Sequence, residues 1–141
     1  MRSVRFCSLL FLLALTSCTR SPADQLKAEL QTVTSWTATA RMAGEAWLKG
    51  TVPHAYAART LRTAEETLED EARTIQEDKS QDAAELRASL AGHVRGVSQV
   101  VGQMRAAIES RDAPTLDGLL KQLEAGEQKI KALAGSGGAQ P

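Results

Sequence analysis

Residues 86–108 read LRASLAGHVRGVSQVVGQMRAAI, and their large apolar side chains recur at Leu86, Leu90, Val94, Val97, Val101, Met104 and Ile108. Each step along that row is three or four residues. Such spacing gathers side chains on one stripe of an α-helix with 3.6 residues per turn, whereas a strand face repeats every second residue. Small or polar residues fill most of the remaining circumference, and no proline interrupts the stretch. It predicts an amphipathic helix with a narrow apolar seam.

The same pattern extends in both directions. Upstream, Ala57, Leu61, Ala64, Leu68, Ala72 and Ile75 form a second seam, and Pro53 suits its first helical position. The polar run QEDKSQDAA (76–84) separates the two, with Ser80 available as a cap. A single helix from Pro53 to about Arg111 is the rival, because that run has no Gly or Pro and Ala83 keeps the apolar phase. Such a helix would be roughly 85–90 Å long at 1.5 Å per residue, so a break is preferred. Downstream, Pro114 opens a further stretch with Leu116, Leu119, Leu123, Gly126, Ile130 and Leu133 on its seam.

Ahead of these, Ser21, Pro22 and Asp24 combine an N-cap, a proline at the first helical position and an acid at the third. Leu26, Leu30, Val33, Trp36, Ala40, Ala43 and Trp47 follow at helical spacing, and Gly50 is placed to cap the end. TVTSWTAT (32–39) has β-leaning composition, but its spacing favours helix. KGTVP (49–53) is then a tight turn. The fold expected is all-α, an antiparallel up-down bundle of four helices over residues 21–134. GSGGAQP (135–141) lacks the apolar content to fold and reads as a flexible tail. Much of the 43% hydrophobic content is Ala, so the core is thin, and self-association or a protein partner could supply missing burial.

The N-terminus carries a different signal. MRSVR is a short cationic segment and FCSLLFLLAL an apolar run too short to span a bilayer core, together the pattern of an export signal over residues 1–17. Leu15-Thr16-Ser17-Cys18 then resembles, position by position, the lipobox of bacterial lipoproteins. The resemblance covers residues 1–18 only. It implies that the Cys18 thiol receives a diacylglycerol, that cleavage leaves Cys18 as residue one, and that fatty chains such as palmitate hold the protein at a membrane. It also implies the cell envelope. Thr19 follows the cysteine where Asp would go with inner-membrane retention, which favours the periplasmic face of the outer membrane in a Gram-negative cell. Residues 18–20 become a short tether.

Cysteine and charge counts agree with this. Cys7 lies inside the apolar run, so cleavage leaves Cys18 alone, with no internal disulfide partner. Losing Arg2 and Arg5 from 17 basic residues leaves 15 against 17 acidic, a formal charge of −2. No basic excess is available for nucleic acid or for an anionic lipid surface.

Candidate sites are few. Trp36 and Trp47 bracket Ala40 and Ala43 on one helical face, and Tyr56 lies across the turn, so these five could line a groove for a ligand or a partner. His54 and His93 match no metal or covalent-haem pattern, and Met42 and Met104 make poor haem partners for them. No metal or cofactor is expected. Glu65, Glu66, Glu69, Asp70 and Glu71 wrap around their helix as a solvated face, answered by Arg87, Arg95, Arg105 and Arg111 on the next. Gly92 and Gly96 permit close helix approach. No nucleophile elbow or phosphate-binding loop occurs, so no enzymatic activity is expected. The sequence reading is a membrane-anchored envelope lipoprotein whose bundle serves as a non-catalytic scaffold or protein-interaction module. The alternative is a periplasmic bundle that binds lipid, haem or metal.

Overall fold

Four helices follow one another: α1 (Pro22–Leu48), α2 (His54–Glu77), α3 (Ala84–Glu109) and α4 (Ala113–Gly137). The structure is a computed structural model and describes residues 21–77 and 84–137. No strand occurs among the described residues. The expected export signal at 1–17, the expected lipidation of Cys18 with the tether at 18–20, the expected Ser80 cap and residues 138–141 of the expected tail lie outside them.

Consecutive helices pack on each other and α1 also meets α4, which closes the antiparallel bundle. The α2–α3 interface is the most extensive, and the α1–α4 interface is slender. Glu65 of α2 lies 3.0 Å from Arg105 of α3. On one continuous helix those residues would stand about 60 Å apart at 1.5 Å per residue. The single-helix alternative is thereby excluded.

Two tight turns sit at the same end of the bundle. At the close of α1, Gly50 adopts φ 67°, the Thr51 N–H donates to the Ala46 carbonyl (2.9 Å), and the Gly50 N–H to that of Trp47 (2.9 Å). This is a Schellman ending, which needs a left-handed residue. The close of α3 repeats it, with the Asp112 N–H donating to the Ala107 carbonyl (2.8 Å) and the Arg111 N–H to that of Ile108 (2.9 Å). There the left-handed residue is Arg111, at φ 59°.

Helix starts differ slightly from expectation. Pro53 stands just outside α2, where its carbonyl accepts from the Tyr56 and Ala57 N–H groups (both 3.1 Å). Asp112 caps α4 by accepting from the Thr115 N–H (3.0 Å), and Pro114 is the second helical residue. The α1 start is as expected: Ser21 accepts from the Asp24 N–H at 3.1 Å, with Pro22 in the first turn. At the other extreme α4 continues to Gly137, past the expected limit at residue 134.

The core forms where the seams meet. All six expected α2 residues are buried, as are Leu90, Val94, Val97, Val101, Met104 and Ile108 of α3. From α4, Leu116, Leu119, Leu123 and Ile130 join them. The first helix is rotated relative to its expected seam. Its buried line is Glu29, Val33, Thr37, Ala40 and Ala43, while Leu26, Leu30, Trp36 and Trp47 are half-buried on the flanks. Small side chains take the line of closest approach, and large ones wrap around its edges.

Candidate functional site

The five residues of the expected groove differ in exposure. Ala40 is fully buried and Ala43 nearly so, which means the floor between the rings is already covered by the core. Trp36 and Trp47 are half-buried and pack against that core. Tyr56 is 59% exposed. The rings act as flanking core residues in this geometry.

The haem-type pairing fares no better. Met104 is fully buried, whereas Met42 is 65% exposed. Half-buried His54 has a buried Nε2 with no hydrogen-bond partner, and the Nδ1 of His93 lies 2.8 Å from the Ser89 carbonyl. Among the described residues, no group of three or more His, Cys, Asp or Glu side chains could hold a metal ion.

A cleft of 640 Å³ runs between α3 and α4. Gly92 and Gly96 form part of its floor, and a β-carbon added at either would meet nothing within 4 Å. Val97 and Gly126 close its base, and His93 and Lys129 contribute polar groups. The α3 residues lie near that helix's N-terminal half and the α4 residues near its C-terminal half. The cleft therefore lies beside the middle of the bundle, displaced toward the end at which α1 begins. Gly92 and Gly96, expected to serve close helix approach, are open here.

The acidic cluster divides by position. Glu66, Glu69 and Asp70 are exposed, with Asp70 paired to Arg73 on its own helix at 3.1 Å. Glu65 turns inward and accepts from Arg105 Nε, and Arg105 Nη1 also donates to Glu109 (3.1 Å). These bonds, that to Glu65 first, hold the guanidinium above its ordinary range. Arg95 donates to Gln76 in place of an acid.

Glu71 faces the other way, toward α1. Burial pushes its carboxyl up from the ordinary 4.5, and the nearby charges of Glu29 and Asp70 act in the same direction. Glu29 is 7% exposed, its Oε1 accepts from the Gln25 amide at 3.3 Å, and its Oε2 is buried without a partner. The expected α1 seam passed over this residue because it is charged. The row Glu29, Val33, Thr37, Ala40 nevertheless keeps steps of three and four, so helical spacing would have found it.

Among the described residues, no helix is long and apolar enough to cross a membrane. Comparisons with protein-family models, curated proteins and solved structures find no match to this chain.

Proposed function

We propose that this protein is a lipid-anchored lipoprotein of the bacterial envelope whose helical bundle works as a non-catalytic scaffold or protein-interaction module. The observation that carries the reading is Leu15-Thr16-Ser17-Cys18, set after a short cationic and apolar leader. Support also comes from the spacing between that cysteine and the bundle. Ser21 caps α1, so Thr19 and Arg20 alone separate Cys18 from the cap. Even fully extended, that link reaches about 10 Å at ~3.3–3.6 Å per residue. A bundle on so short a tether stands against the membrane, and its partners meet it near the bilayer surface.

The ligand-binding alternative draws no support from the tryptophan face, whose alanine floor is buried. Under the proposed reading the fatty chains supply membrane affinity, at ~0.8 kcal/mol per buried CH₂. The outer membrane's periplasmic face is the favoured location in a Gram-negative cell, given Thr19.

The test is Cys18→Ser in the full chain, followed by cell fractionation and mass spectrometry of the N-terminus. The expected result is release from membranes or accumulation of the uncleaved precursor. Normal processing with unchanged membrane retention overturns the anchor. Crosslinking in cells then addresses the scaffold role, and a partner crosslinked through the bundle is expected. A stoichiometric small ligand retained by the purified full chain, with no crosslinked partner, overturns that role.

A further inference from the structure

A helix core seldom accommodates a carboxylate unless the charge is paired or hydrogen-bonded. Glu29 occupies such a position in α1, with one oxygen on the Gln25 amide and the other without a donor. Glu29 stands 19 residues before the end of α1 and Glu71 17 residues after the start of α2, which sets the two at about the same level of the antiparallel pair, and the charge of Glu29 acts on the Glu71 carboxyl. We propose that Glu29 and Glu71 form an acid-tightened clasp between α1 and α2, so that the N-terminal half of α1 is held firmly at low pH and opens from the bundle as pH rises. The inference is independent of the anchor, since it concerns only contacts inside the bundle.

Neutralisation explains the direction. A proton on Glu71 removes one of two like charges at the interface. Loss of that proton restores the repulsion and the desolvation penalty together. When α1 lifts away, both carboxylates regain water and Glu71 returns toward its ordinary 4.5. The closed state therefore binds the proton more tightly than the open state. Opening is disfavoured below that value and becomes more favourable as pH climbs toward the raised value of the closed state.

The surrounding charges do not reverse this sign. On α2, Asp70 adds to the repulsion and is itself held by Arg73 at 3.1 Å. From α3, Arg87 is buried at this end and has an interaction of its own. From α4, Glu127 is engaged with Lys131 at 2.6 Å. The rest of the α1 line gives the clasp leverage, because Thr37, Ala40 and Ala43 bury far less apolar area than the leucines of α2. The slender α1–α4 contact leaves α1 without a second strong hold.

Amide hydrogen exchange on the full-length protein tests the clasp, with protection factors corrected for intrinsic rates from about pH 4 to about pH 8. The expected result is that α1 amides around residues 26–37 lose protection as pH rises, by at most about ten-fold per pH unit for one proton. Amides of α3 around Val101 should not follow. Glu71→Gln should hold α1 near its acid-state protection across the range, and Glu29→Gln should flatten the profile in the same sense. Glu69→Gln, at an exposed position on the same helix, should keep the wild-type profile. Protection that is flat or rises with pH in the wild type overturns the proposal. So does a wild-type profile retained in both Glu71→Gln and Glu29→Gln.

Discussion

The carboxylate of Glu65 lies over Gly102, so near that a β-carbon there would stand 2.5 Å from Oε1. Arg105 Nε holds the same carboxylate from one side, and Ser98 Oγ donates to the Glu65 carbonyl at 3.0 Å. The α2–α3 interface is here built around an ion pair seated on a glycine. Gly102→Ala should displace Glu65 from Arg105 while improving helix propensity. The half-buried pair is still open enough to water to be worth about 1 kcal/mol, close to the Gly-to-Ala gain, so net stability is expected to change by less than about 0.5 kcal/mol. The salt dependence contributed by the pair should disappear, which urea midpoints at low and high ionic strength will register.

Glycines bordering the α3–α4 cleft should split by sign. Gly92→Ala and Gly96→Ala add methyl groups into open space, so each should raise stability by roughly 0.5–1 kcal/mol. Gly126→Ala brings a β-carbon within 2.9 Å of Val97 Cγ2, a buried branched side chain. Overpacking there should outweigh the propensity gain and lower stability by about 1 kcal/mol. Urea unfolding of the three variants measures the contrast.

Truncation should separate the interior from the hairpin surface. Leu68 is completely buried between helices, and Leu68→Ala should cost about 2–5 kcal/mol. Tyr56→Ala, at an exposed site just past the first turn, should stay within about 0.5 kcal/mol of wild type. A large loss on truncating Tyr56 would mean that the ring pins the α1–α2 hairpin.

The second turn should respond to both backbone and pH. Arg111 occupies a left-handed conformation, so Arg111→Gly should stabilise by about 0.5–1 kcal/mol. At Asp112 the hydroxyl of Thr115, and then its backbone N–H, hold the carboxyl below its ordinary 3.8. Its folded state therefore favours the charged form, and the cap contributes fully above 3.8 and fades as pH falls through the lowered value. Asp112→Ala should lower the unfolding midpoint at neutral pH, with a difference that shrinks in strong acid.

Large apolar residues at unbroken helical spacing made α2, α3 and α4 legible, and the structure buries Leu61, Leu68, Val94, Val101 and Leu123 where the periodicity put them. The first helix was harder to read for a definite reason. Its large side chains, Leu26, Leu30, Trp36 and Trp47, straddle the buried line, so hydrophobicity found Val33, Ala40 and Ala43 at the centre but added the edges and passed over Glu29 and Thr37. The same bias hid Glu29, since a charged side chain is normally assigned to solvent. Arg111 was illegible as a helix ending because arginine rarely adopts positive φ, and its place is set by the Schellman bonds around it. The α3–α4 cleft depends on how far apart two helices sit at Gly92 and Gly96, a distance that spacing along one chain does not encode.

An up-down bundle of four helices also fixes how a load is carried. The beginning of α1 and the close of α4 lie at one end, while the turns at Gly50 and Arg111 tie off the other. Tension between the start of α1 and the close of α4 is therefore applied in unzipping geometry, prying α1 from α4 one side-chain layer at a time. It would meet their slender interface first and leave the broad α2–α3 pairing until last. The bundle is mechanically soft between the start of α1 and the close of α4 and stiff at the two tied turns.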